Sequence, residues 1–197
     1  MASWYDIRKG ITENTAPGVE PLALSEAKSF LRIDNSDQDT LITELIKTAR
    51  QRVENDTGQS LINTTWDYWF DTFPTERSIT VARVPLVSVT HVISYDEDDA
   101  ASTLASSKYL VDVVQGRVAL NNDDDWPSDL RAFNSGIIRF VAGYGTAGSD
   151  VPSPLRLACY QLLTHWFEHA DPYTSTDAVS NAYSGHIAAY RNAAGIA

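Results

Sequence analysis

Residues 36–71 read SDQDTLITELIKTARQRVENDTGQSLINTTWDYWFD, and a change of period inside this stretch decides the fold. Ile42, Leu45, Ile46, Ala49 and Val53 recur at helical spacing and form one apolar stripe, while Glu44, Lys47, Arg50 and Glu54 fall off it. Ser36 with Asp39 three residues on resembles a capping box with Asp in place of Glu. Asp37 and Asp39 suit the positive end of the helix dipole, and Gly58 is placed to end the helix. From residue 61 the period drops to two, with Trp66, Tyr68 and Phe70 on one side and Thr65, Asp67 and Asp71 on the other. A helix over about 37–57 followed directly by strands predicts an α+β chain.

Toward the N-terminus, Ser25 caps a short helix over about 25–33, with Glu26 in its first turn and Ala27, Phe30 and Leu31 on one face. Residues 1–20 contain Gly10, Pro17 and Gly18 and sustain no period, so they are expected as an extended arm. Toward the C-terminus the alternation continues through Ile79–Val81, then through Val87, Val89, His91, Ile93 and Tyr95 on one face, Tyr109, Val111 and Val113, and Ile138 with Phe140. Pro74, Pro85, Asp96–Asp99, Gln115-Gly116 and Asn121–Pro127 punctuate these runs, which predicts an antiparallel β section over about 62–142.

Gly143–Asp150 reads as a loop. Ser153 before Pro154 starts a third helix, about 153–170, whose stripe Leu155, Ala158, Cys159, Leu162 and Trp166 suits packing on the second helix before Asp171-Pro172 stops it. The expected organisation is an arm (1–20), one domain (21–171) with a small helical core and an inserted β section, and a polar tail (172–197). In the tail, Tyr183, Ile187 and Tyr190 keep a weak helical pattern that Gly185 interrupts.

Composition narrows the function. With 43% hydrophobic and 10% aromatic residues in a chain of 197, a real core is available, and one domain is the natural size. A net charge of −11 argues against a broad phosphate-gripping face. The single Cys159 excludes an intramolecular disulfide and sits among apolar neighbours. The start lacks the order of a signal peptide, and no apolar run approaches membrane-spanning length.

Four features invite a chemical reading. His165-Trp-Phe-Glu168-His169 matches H-x-x-E-H, in which two imidazoles on one helix face hold zinc and the Glu polarises water. A third protein ligand is not evident, since only Asp171, Asp177 and His186 follow. Gly143-Tyr-Gly145-Thr-Ala-Gly148 spells a dinucleotide fingerprint, yet Ser149–Pro152 separates it from the next helix and no parallel strand completes a βαβ unit. Asp96–Asp99 and Asp123–Asp125 lack the spacing and closing Glu of an EF-hand and read as solvated turns that guard sheet edges. Trp66, Tyr68, Trp69 and Phe70 lack the interleaved Arg or Lys of a base-stacking platform.

Read in order, Pro21-Leu22, Leu24–Ile33, Asp37–Leu41, Val53-Glu54, Thr57-Gly58, Leu61-Ile62 with Trp66, Val84–Val92, Ala142–Gly145, Val151-Pro152 and His165–Glu168 resemble the phage head-tail connector family of the gp6-like kind, in the branch with a β-rich insertion. The resemblance spans roughly residues 20–170. It implies a structural adaptor rather than an enzyme, with no cofactor, metal or catalytic residue. It also implies a ring of identical subunits, twelvefold to match the portal, that extends the DNA channel and receives stopper or tail proteins. The resemblance further implies that DNA passes an acidic lumen without specific binding. The location implied is the virion of a phage or gene transfer agent assembled in a bacterial cytoplasm, with no membrane contact. Outside the resemblance, Tyr183, Ile187, Tyr190 and Arg191 are the expected portal contacts, because aromatics and Arg are favoured anchors. Two other readings make different predictions: a zinc peptidase built on His165, Glu168 and His169, and a generic protein-binding module using the β face.

Overall fold

A computed structural model describes residues 10–169 and 177–191. The described residues divide into two compact units, one helical (18–62, 144–169 and 177–191) and one β-rich (10–17 and 63–143). The mixed α+β class expected from the change of period is present: among the described residues there are four helices, a five-stranded and a three-stranded sheet.

In the helical unit, α1 runs Leu24–Leu31, α2 Asp39–Thr57, α3 Ser153–Glu168 and α4 Asp177–Ile187. Helix α1 begins one residue before the expected Ser25 cap. Ala23 occupies the cap position and its N–H donates to the Glu26 carboxylate at 3.0 Å, so the acid reaches back and supplies the missing acceptor. Helix α2 begins two residues later than expected, with Gln38 at the cap and no side-chain cap hydrogen bond. Asp39 instead pairs with Lys28 Nζ at 2.6 Å. Gly58 ends α2 as predicted, at φ 72°, where a side chain would be strained. In α3 the cap position is Pro152 rather than Ser153.

The α2 stripe and the α3 stripe meet in one core of Ile42, Ile46, Ala49, Val53, Leu155, Ala158, Cys159 and Leu162, closed by Leu22, Leu61, Ile62, Val151, Tyr183 and Ile187. One part of the helical-wheel reading fails. Arg50 and Glu54, read as lying off the stripe, are 1% and 2% exposed. The apolar arc is narrower than the buried arc, and ion pairing fills the difference.

In the β-rich unit the strands are β1 Ile11–Thr15, β2 Thr64–Phe70, β3 Ser78–Thr80, β4 Leu86–Tyr95, β5 Ala101–Thr103, β6 Tyr109–Asp112, β7 Arg117–Leu120 and β8 Gly136–Ala142. The larger sheet has the order β1-β2-β8-β4-β5 and is antiparallel throughout; the smaller is β3-β7-β6. Residues 11–15, expected as arm, pair with β2 in the register Ile11↔Tyr68 to Thr15↔Thr65. The expected alternation holds in β2, where Trp66, Tyr68 and Phe70 share the face of Ile138 and Phe140.

It fails in β4. Two bulges, between Leu86 and Ser88 and between Val89 and His91, shift the register against β8. The core-facing set becomes Leu86, Val89, Val92 and Ser94, opposite Ala142, Phe140, Ile138 and Gly136, so that of the expected series Val87, Val89, His91, Ile93 and Tyr95 Val89 alone keeps the core face. Each bulge adds one residue to one strand, which turns every later side chain to the other face. On the opposite face Arg139 clasps the buried Asp67 through two hydrogen bonds of 2.7 and 2.8 Å, and Asn14 Nδ2 donates to the same carboxylate.

Candidate functional site

The residues singled out as portal contacts lie in and just after α4. Tyr183 (7% exposed) and Ile187 (0%) belong to the helical core, Tyr190 is half-buried and Arg191 is exposed. The structure therefore uses Tyr183 and Ile187 to fix α4, packs Tyr190 partly against the same core and leaves Arg191 exposed. Polar side chains complete the attachment. The Tyr183 hydroxyl donates to Asp56 Oδ2 at 2.8 Å, and Arg52 Nε donates to the same oxygen at 2.8 Å. Gln59 Nε2 donates to the Tyr190 carbonyl, while its Oε1 accepts the Tyr144 hydroxyl. Burial pushes the Tyr144 phenol up to about 12, and burial with the Asp56 carboxylate raises that of Tyr183. Both phenols are therefore hydrogen-bond donors at neutral pH. Asp171 and Pro172, residues 1–9 of the expected arm and 192–197 of the tail lie outside the described residues.

Beneath this lies an ion network that the linear pattern did not expose. Arg50 donates from Nε to Glu20 Oε2 and from Nη1 to Glu54 Oε2, each at 2.8 Å, and Glu54 Oε1 accepts the Leu61 N–H at 2.8 Å. Burial opposes the guanidinium charge, but Glu54 and Glu20 more than offset it, so the Arg50 pKa is raised. The i,i+4 spacing of Arg50 and Glu54 was a legible signal for part of this. Glu20, 30 positions away, gave none.

The β6–β7 hairpin carries a group of exposed aliphatics: Leu110 at 65%, Val113 at 48% and Val114 at 86% exposed, with Val111 at 37%. The expected alternation of Tyr109, Val111 and Val113 stops at Asp112. Its carboxylate accepts the Gln115 N–H at 3.0 Å and turns the chain, and that bond and Arg117 hold it below the usual carboxylate range.

The enzyme-like motifs have structural uses. Gly145 and Gly148 stand where a Cβ would meet the Asp150 carboxyl at 2.1 Å and the Pro21 carbonyl oxygen at 2.7 Å. These glycines allow close packing inside the helical unit, and Asp150 in turn accepts the Ala147 N–H at 2.9 Å. His165 and His169 stack at 4.9 Å between ring centroids, with His169 Nδ1 3.2 Å from the His165 carbonyl. Among the described residues no group of three or more His, Cys, Asp or Glu is placed to hold a metal. Asp96 Oδ1 accepts the N–H groups of Asp98 and Ala100, and Asp99 pairs with Arg131, which makes that acidic run a self-bonded turn. No helix among the described residues is long and apolar enough to cross a membrane.

Comparison with curated proteins gives no match. Among solved structures, the chain is similar to one from the neck of an empty GTA particle computed with C6 symmetry, at TM-score 0.79 and 19% identity, covering 92% of this chain and 95% of that one. It is similar to a chain of the virion of a native gene transfer agent particle, at TM-score 0.77 and 18% identity with the same coverage. A third match is the neck of a native GTA particle computed with C12 symmetry, at TM-score 0.73, 18% identity and the same coverage. At these identities the likeness establishes the fold. The family model described as phage gp6-like head-tail connector protein matches residues 22–117, and over that span the chain is similar to the gp6-like head-tail connector family.

Proposed function

We propose that this protein is a structural adaptor at the head-to-tail junction of a phage or gene transfer agent particle. Copies form a ring beneath the portal, twelvefold to match it, that extends the DNA channel and presents a docking platform to stopper or tail proteins. The observation that carries this reading is the combination of the connector-family match over residues 22–117 with a fold shared, over 92% of the chain, with neck structures solved at C6 and C12 symmetry. Charge supports it. A subunit of net charge −11 repels phosphates, so a lumen lined by such copies lets DNA slide. The chemistry required is assembly, and the reading assigns no catalytic residue. Within this reading Tyr190 and Arg191 meet the portal, and Tyr183 and Ile187 hold α4 so that they are presented.

Electron microscopy of the purified protein mixed with the portal of the same particle tests the reading, with each protein alone as a control. Rings stacked coaxially on portals support it and report the symmetry. Folded, concentrated proteins that form no such complex reject it.

A further inference from the structure

The β6–β7 hairpin presents an apolar surface that the fold does not use. Leu110, Val113 and Val114 are 65%, 48% and 86% exposed, and Val111 adds a partly exposed edge. Strand β6 is also the outer strand of its sheet, so its open backbone side lies beside these side chains. An exposed, aliphatic edge strand is an aggregation hazard that folds ordinarily blunt with charge, proline or cover. Here the charges that flank the tip cancel: Arg117 Nε pairs with Asp112 Oδ2 at 3.0 Å. The hairpin surface is thus apolar and close to neutral on a molecule of net charge −11.

That contrast selects the occupant. A basic partner, or DNA approached through cations, would be met by charged surface, and this tip offers neither sign in excess. Two copies of the same acidic chain repel over most of their surfaces and can close against one another only where carboxylates are absent or neutralised. Ring formation also requires that a patch on one copy meets a different patch on the next. We propose that the β6–β7 hairpin, through Leu110, Val113 and Val114, is an intersubunit contact that seats on the neighbouring copy of this chain. The inference rests on the adaptor reading and adds to it the residues that join the copies.

The test uses assembled particles from the producing host, with Val114 replaced by the photo-crosslinking residue p-benzoylphenylalanine. Val114 is 86% exposed, so the replacement leaves the fold intact, which circular dichroism of the purified chain verifies. Irradiation is expected to yield products that join two copies of this chain. Linking peptides identified by mass spectrometry then locate the receiving surface. In parallel, Val114→Asp is expected to lower the amount of chain incorporated per particle by about tenfold or more, the effect of placing a charge in an apolar contact. Products that join the hairpin to a different virion protein, or no product from particles that contain the chain, overturn the proposal and leave the adaptor reading standing. Wild-type particles that lack the chain altogether overturn both.

Discussion

In the Glu20–Arg50–Glu54 network a buried guanidinium is held between two carboxylates. Replacing buried Arg50 by Met leaves Glu54, 2% exposed, without its cation. Breaking one side of a buried pair costs about 3–5 kcal/mol. The expected outcome for Arg50→Met is a loss of that size in urea unfolding. Adding Glu54→Gln, which keeps an acceptor for the Leu61 N–H, should restore part of it. Glu26 gives a pH-dependent counterpart. The Ala23 N–H and the Arg156 guanidinium hold its carboxyl below the usual value, so it contributes stability above the unfolded pKa and loses it as pH falls through the lower folded value. Melting temperatures of the wild type and Glu26→Gln should therefore differ most near neutral pH and converge at strongly acid pH. A constant difference across that range would contradict this account.

At the scale of the element, α4 shows how a weak pattern becomes a helix. Among the described side chains of α4, Tyr183 and Ile187 are buried anchors, and the Asp56 and Gln59 side chains of the α2 end and the loop after it add fixed polar bonds. Ile187→Ala should lower stability by about 2–5 kcal/mol, measured by urea unfolding, because the site is fully enclosed. Tyr190→Ala combined with Arg191→Glu should leave the melting temperature within a few degrees and weaken portal binding. Unchanged portal binding would remove these residues from the contact. This pair separates binding from folding better than deletion of residues 178–197, which would also strip Tyr183 and Ile187 from the core.

For the whole molecule, the proposed adaptor role links acidity to assembly. A lumen that lets DNA pass requires a subunit with negligible grip on it. Gel-shift titration of the purified protein against duplex DNA at about 50 mM salt, where phosphate contacts are strongest, should show no shift. A shift that weakens with added salt would reject the sliding-channel reading. The same acidity makes copies repel over exposed carboxylate surfaces, so raising the salt concentration should favour rings by screening that repulsion, and light scattering across a salt series would report it.

Much of the fold is written in local spacing. The α2 and α3 stripes, the stop at Gly58, the change of period near residue 61 and the alternation of β2 are set by neighbours within two turns or a few strand residues, so the amino-acid order alone makes them legible. The family resemblance draws on the same residues in order. What required the fold was pairing across distance. Strand β1 is polar on both sides, with only Ile11 partly buried, so it carries no alternation to read and exists because β2 offers it an edge. The face of β4 depends on two bulges that appear only against β8. Arg50 is buried because Glu20 reaches it from 30 positions away, and Tyr183 and Ile187 became core because α2 and α3 left a site for them. Local periodicity records what each segment can bury, and the tertiary structure decides which buried groups find partners and which surfaces stay exposed.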